Sequence, residues 1–246
     1  MDRTQFFADT PIFAMLHLAG ESSVCVRRAL EELALFEEEG VDGVIVENYH
    51  GHSADVISTL RGIQERGTAL QVGVNILPND YLQAFGLARN YGASFIQQDY
   101  VSGTYTSRPV IDPTRHGLAR SMHTHVLVLG GVWPKYYTPI EGSDLERDLR
   151  EGIQRTDAIV VTGEGTGIET PMDKILTFRR IIGTHPLVIG AGLTPYNAGE
   201  QLLVGDAAIV GSCFKVDEET SNPVDRERVR AFMDVVRRVR EEKKRL

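Results

Sequence analysis

The sequence predicts a single α/β domain over residues 1–246, a (β/α)8 TIM barrel of the phosphate-binding type. Three observations carry that expectation. Short apolar runs recur along the chain, segments with helical periodicity fall between them, and no linker breaks the alternation. The runs are IFAMLHL (12–18), GVIVEN (43–48), LQVGVNI (70–76), SFIQQD (94–99), HVLVLGG (125–131), AIVVTG (158–163), LVIGAG (187–192) and AAIVGS (207–212). From the first start at 12 to the last at 207, the seven intervals average about 28 residues. The runs are rich in Val and Ile and continuous rather than alternating, as parallel strands buried on both faces should be. An open doubly wound sheet is the alternative architecture, but eight evenly spaced strands exceed what most open sheets use.

The helices follow from stripes and stop signals. SVCVRRALEELALFEEEG (23–40) places Val26, Leu30, Leu33 and Phe36 on one face and ends at Gly40, a C-cap residue. NDYLQAFGLARNYG (79–92) opens on an Asn or Asp cap and closes at Gly92. Segments 144–155, 171–183 and 195–203 repeat the pattern. Residues 226–245 mix basic and acidic side chains at helical spacing and predict a terminal helix, with Val229, Phe232, Val236 and Val239 facing the barrel. The stretch 100–123 is loop-like at its start; it reads either as a substrate-covering loop or as a plain surface excursion.

Composition narrows the function classes. A net charge of -8 argues against a nucleic-acid footprint, which needs a clustered basic face. Cys25 and Cys213 are too few for a disulfide framework, so a reducing, cytoplasmic setting is expected. No apolar run approaches the roughly 20 residues that span a bilayer. Peripheral membrane association has only weak support in the terminal helix, and a homo-oligomer is expected.

In a barrel, the C-terminal ends of the strands build the site and the opposite rim serves stability. Those ends carry His17, Glu47, Asn48, Asn75, Asp99, Lys135 and Thr162. Glu47 and Asp99 stand out, because charged groups rarely end apolar strands without a partner. They are candidates for general acid and base, or for structural pairing with Lys135. Lys135 could neutralise developing negative charge or, if deprotonated, form an imine. His17, Asn48, Asn75, Thr162 and Thr166 are candidate substrate contacts.

Three glycine-rich strand ends give a second signal: TGEGTG (162–167), GAGLT (190–194) and GS (211–212). Barrel phosphate sites form after strands seven and eight from backbone N–H groups. Gly190, Gly192, Gly211 and Ser212 occupy those positions and predict a phosphorylated small-molecule ligand. Neither a Rossmann glycine fingerprint nor a phosphate-loop lysine motif is present. No cofactor is predicted, although His50 and His52, close to Glu47, leave room for a divalent ion.

Several segments resemble the BtpA/SgcQ family: MLHLAG (15–20), GVDGVIVENY (40–49), VGVNILPND (72–80), DAIVVTGEGTGIETP (157–171), GAGLTPYNAGEQL (190–202) and DAAIVGSCFKVDEETSNPVDRERVRAF (206–232). The resemblance touches most of the chain and implies a TIM barrel akin to phosphate-binding barrels. It also implies a role like that of cyanobacterial members in photosystem I biogenesis, or one near sugar-phosphate metabolism as in the SgcQ branch. The chain departs from the family pattern at the mouth. Relatives tend to read Asp-Val-His-Val-Lys-His after strand five, where this chain has GVWPKY (131–136): Lys135 is kept, while Gly131 and Trp133 replace the acidic and histidine positions. After strand four, Arg-Val-Asn becomes QQD, from Gln97 to Asp99.

The leading functional expectation is an enzyme acting on a phosphorylated sugar or nucleotide-like metabolite, as an isomerase, a lyase or an N-glycoside hydrolase. The alternatives are a non-enzymatic assembly factor for a membrane complex and a ligand-sensing barrel.

Overall fold

The computed structural model describes residues 3–245. Eight parallel strands close into a ring in sequence order: β1 (Ile12–Leu16), β2 (Gly43–Glu47), β3 (Gln71–Asn75), β4 (Phe95–Gln98), β5 (Leu127–Gly131), β6 (Ala158–Val161), β7 (Leu187–Ile189) and β8 (Ala207–Val210). The ring is sealed where β8 pairs with β1, Ala208 opposite Ile12 and Val210 opposite Ala14. The barrel is therefore closed, and the open-sheet alternative is set aside. Apart from β5, which ends with its run at Gly131, each strand stops before its apolar run ends, because the polar or glycine residues at the run's end leave the hydrogen-bonded ladder and turn into the mouth.

Nine α-helices are described: α1 (Arg3–Phe6), α2 (Ser22–Glu39), α3 (Ser53–Arg66), α4 (Tyr81–Tyr91), α5 (Pro113–Met122), α6 (Leu145–Arg155), α7 (Met172–Ile182), α8 (Ala198–Val204) and α9 (Arg226–Lys243). Helix α2 ends as expected at Gly40, whose φ of 80° lies in the left-handed region that an L side chain disfavours. Asp80 caps α4 by accepting from the Gln83 amide at 3.0 Å. Helix α8 starts three residues later than its sequence pattern suggests, since Asn197 Oδ1 accepts from the Thr194 amide and holds the preceding turn. In α9 the apolar face, Val229, Phe232, Val236 and Val239, is buried against the barrel wall.

The interior of the barrel is a compact apolar plug that includes Phe13, Ile45, Phe95, Leu129, Val160, Val188 and Ile209. Phe6 of α1 stacks on Phe13 and meets Phe95 edge-on, covering the N-terminal end of the barrel. That end is also braced by one device used three times. Asp42, Asp157 and Asp206 immediately precede β2, β6 and β8. Each accepts the backbone N–H of the previous strand (Ile12, Val128 and Leu187) and pairs with an arginine (Arg240, Arg120 and Arg179). These groups hold strand to strand at the closed end and leave the opposite rim free to carry chemistry.

Candidate active site

The C-terminal mouth holds a cavity of about 250 Å³. Among the residues expected from sequence, His17, Glu47, Asp99, Lys135, Thr162 and Thr166 line it, as do Gly190, Gly192, Gly211 and Ser212. Segments from seven strand ends thus meet at one place.

Glu47 ends β2 and is buried; its Oε1 accepts from Asn75 Nδ2 at 2.7 Å. Burial, reinforced by the nearby negative charge of Asp99, pushes the Glu47 carboxyl up to about 7, while Lys135 and Asn75 oppose the rise. Asp99, one residue beyond β4, is half-buried and is also raised by desolvation. Tyr137 Oη donates to its Oδ2, and Asn75 and Lys135 favour its charged form. Two carboxyl groups with Asn75 between them therefore share one electrostatic environment, and one of them titrates near neutrality. Lys135 Nζ donates to Thr166 Oγ1 at 2.9 Å, and its backbone N–H donates to Thr162 Oγ1 at 2.7 Å. Lys174 fixes the two loops behind it by donating to the carbonyls of Trp133 and Thr162.

The glycine-rich side of the mouth has its own logic. Gly192 adopts φ 65°, and a Cβ there would lie 2.3 Å from the Ile168 carbonyl, so the β6 and β7 loops interlock through it. A Cβ on Gly211 would come within 3.0 Å of the His17 ring, so only hydrogen separates that backbone from the imidazole. Beyond Gly211 the 3-10 turn Ser212–Phe214 begins, and the leading amides of such a turn have no acceptor inside it. Burial, with Lys215, Lys135 and His50 nearby, holds His17 well below the ordinary histidine range, so the ring is neutral at pH 7. Three buried polar atoms at this end of the barrel have no partner among the described residues: His17 Nδ1, Asn75 Oδ1 and Gln97 Oε1.

Two expected substrate contacts are placed elsewhere. Asn48 does not line the cavity; its amide clamps Leu77, donating to the carbonyl at 3.2 Å and accepting from the N–H at 2.8 Å. Asn75 sits behind Glu47 and acts on it. The histidine pair near Glu47 also separates. His50 Nε2 lies 2.8 Å from Thr220 Oγ1, and His52 caps α3 with Asp55. Among the described residues no group of three or more His, Cys, Asp or Glu side chains is arranged to hold a metal ion.

Gly131 cannot carry a side chain, because a Cβ would lie 2.0 Å from the Asp99 carbonyl oxygen. Trp133 packs outside the cavity, its Nε1 donating to Asp148 Oδ2 at 3.0 Å. Gln97 remains in the mouth. The long segment after β4 is an ordered wall, in which Tyr100, Tyr105 and Ile111 form a small core against Trp133 and Tyr137. Tyr49, Tyr136, Tyr137 and Arg108 also line the cavity. Sequence reasoning missed them, since they lie on loops without periodicity; the density of Tyr in 100–137 was the signal available.

Similarity to known proteins agrees with this geometry. The BtpA family model matches residues 11–238. The chain belongs to the BtpA family. Among its relatives, an uncharacterised protein of Pyrococcus horikoshii is 28% identical, covering 96% of this chain and 99% of its own. The photosystem I biogenesis protein BtpA of a Synechocystis strain is 27% identical over 96% of this chain and 91% of its own. Among solved structures, a phosphoribosyl anthranilate isomerase from Thermus thermophilus superposes with a TM-score of 0.62 at 14% identity, covering 94% of this chain and all of the other (100%). A structure described as native KDPGal reaches 0.66 at 14% identity, covering 94% and 96% of the two chains. At such identities these two structures share the barrel fold with the BtpA-family chain. No helix among its described residues is long and apolar enough to cross a membrane.

Proposed function

We propose that this BtpA-family protein is an enzyme acting by proton transfer on a phosphorylated sugar or nucleotide-like metabolite bound in the barrel mouth. The observation that carries the reading is Glu47: a carboxyl poised near pH 7, in the same cavity as Asp99, Lys135 and the glycine-rich strand ends. The backbone amides around Gly192, Gly211 and Ser212, with Gly190 beside them, would receive the phosphate, and Ser212 would add a hydroxyl donor. Neutral His17, packed against Gly211, would donate a hydrogen bond there without adding charge. Thr162 and Thr166 would face the body of the substrate.

A proton acceptor near pH 7 is efficient because it is free to take a proton and equally free to return it. Glu47 would remove a proton from a carbon or hydroxyl next to the substrate carbonyl. Asp99, held by Tyr137, would serve the second oxygen. Lys135 would stabilise the negative charge that develops between them. Isomerisation and aldol-type cleavage both use this sequence; hydrolysis of an N-glycoside would use Glu47 as the acid on the leaving nitrogen. Screening phosphorylated metabolites by thermal shift, then assaying the hits with the wild type and Glu47→Gln, tests the reading. A hit turned over equally well by both would remove Glu47 from the role.

A second reading is a part in the biogenesis of a membrane complex, the Synechocystis relative being named a photosystem I biogenesis protein. It draws on large apolar side chains exposed near the mouth, Tyr136, Ile168 and Tyr196, the last 99% exposed. The basic residues of α9 support it less, since Arg226, Arg230, Arg237 and Arg240 are all ion-paired with acidic groups. Co-sedimentation with anionic vesicles at low salt decides whether the protein binds a membrane surface. Cytoplasmic location and homo-oligomerisation belong to the same proposal; sedimentation velocity tests the latter, with exposed Leu118 and Met122 of α5 as the first face to mutate.

A further inference from the structure

Arg108 lines the cavity and is exposed; its charge is felt by the Asp99 carboxyl, yet among the described residues its guanidinium makes no direct ion pair and no hydrogen bond. Its position is nevertheless fixed. The guanidinium carbon lies 4.9 Å from the centre of the Tyr137 ring, and Tyr137 is tied through its hydroxyl to Asp99. The backbone is held as well. Tyr100 Oη donates to the neighbouring Pro109 carbonyl at 2.7 Å, the Arg108 amide donates to the Tyr105 carbonyl at 3.3 Å, and Tyr105 forms a β-bridge with Pro139. An arginine whose guanidinium rests on an aromatic face while its five N–H donors remain free is a preformed receptor for a planar or tetrahedral anion.

Its place in the ring supplies the rest. Arg108 belongs to the segment after β4, and the glycine-rich loops follow β7 and β8; β4 and β8 lie four strands apart in a closed ring of eight, on opposite sides of the mouth. Glu47, at the end of β2, and Lys135, after β5, lie between them on the two sides of the ring, while Asp99 follows β4 itself. We infer that the substrate carries two anionic groups, one at each end, with the second one, a carboxylate or a phosphate, received by Arg108. This inference rests on the phosphate reading of the β7 and β8 loops and specifies the substrate class that the same site takes. Asp99 feels the charge of Arg108 without pairing to it directly, and one of its oxygens is bonded by Tyr137, the residue whose ring carries the guanidinium.

Isothermal titration with four probes tests it: inorganic phosphate, ribose 5-phosphate, ribulose 1,5-bisphosphate and 6-phosphogluconate. The wild type is expected to bind the bisphosphate or the phosphorylated acid at least tenfold more tightly than ribose 5-phosphate, and which of the two it prefers identifies the second group. Arg108→Met should weaken the preferred probe 10- to 100-fold and leave inorganic phosphate unchanged; Arg108→Lys should keep part of the gain. Circular dichroism confirms that each variant is folded. Equal affinity for one-anion and two-anion probes, in a protein that binds inorganic phosphate, would overturn the second subsite and leave the phosphate reading standing. Failure of the wild type to bind inorganic phosphate or any of the sugar phosphates would overturn both. An unchanged preference in Arg108→Met together with a shifted titration of the carboxyl pair would assign Arg108 to tuning Asp99 instead.

Discussion

Asn75 Nδ2 donates to Glu47 Oε1 at 2.7 Å, joining the last residues of β3 and β2 at register-paired positions. The bond matters because Glu47 is buried and, among the described residues, Asn75 is the group that hydrogen-bonds its carboxyl. It orients one carboxyl oxygen and leaves the other side of the group for the cavity.

Glu47→Gln keeps the shape and the Asn75 contact but removes the titration. Turnover of an identified substrate should fall by about 10²- to 10⁴-fold, the usual contribution of a positioned acid or base. Stability should move the other way. The folded protein raises the Glu47 carboxyl from 4.5 to about 7, so folding favours its protonated form. The wild type therefore loses stability as pH climbs from about 4.5 to 7 and stays at the lower level above that. Glu47→Gln should melt higher than the wild type at pH 8, by an increment on the order of 1–3 kcal/mol, and match it near pH 4. Carboxyl carbon NMR should find one side chain titrating near 7 that vanishes in the variant.

Gly192→Ala and Gly211→Ala should differ in kind. At Gly192 a methyl would overlap the Ile168 backbone in a left-handed conformation, so the variant should lose several kcal/mol of stability or fail to fold. At Gly211 the methyl meets the edge of the His17 ring, which can give way by a few tenths of an ångström. That variant should stay folded, with phosphate affinity reduced at least tenfold. Thermal melts and titration with inorganic phosphate separate the two.

Gly131→Asp would introduce the acidic residue that the family resemblance implies for this position, and the backbone should refuse it. The Asp99 carbonyl occupies the space that its Cβ needs, so even Gly131→Ala should cost about 2 kcal/mol or more. A variant as stable as the wild type would mean that the β4 and β5 ends can part, and that the departure at this position is not built into the backbone.

Lys215 and Glu32 form a buried ion pair, Nζ lying 2.8 and 2.9 Å from the two carboxylate oxygens, and Glu32 Oε1 also accepts the Val224 amide. The pair fastens the segment after β8 to α2. Lys215→Met alone should destabilise by about 3–5 kcal/mol, because it strands a buried carboxylate. The double variant with Glu32→Met should recover much of that loss in urea unfolding, while hydrogen exchange across 216–224 stays faster than in the wild type.

How much of this was legible beforehand depended on whether the signal was local. Strand ends were legible: a charged residue closing an apolar run has few places to go in a barrel but the mouth, and Glu47 and Asp99 are both there. Asn48 clamps Leu77 and His52 caps α3, because a strand end also supplies the caps and clamps that hold the next loop, and composition does not separate a clamp from a ligand contact. Arg108 and Tyr137 lie 29 positions apart on irregular segments; nothing in their neighbourhoods marks them as stacked. The sequence by itself determined the alternation of elements, their burial and the gathering of polar residues on one rim, since these follow from hydrophobic periodicity and chain direction. Only the tertiary structure decided which of those polar groups share a low-dielectric space. A shift such as that of Glu47 is produced by atoms brought close from β3, β4 and β5, and distance in space is what a linear pattern does not encode.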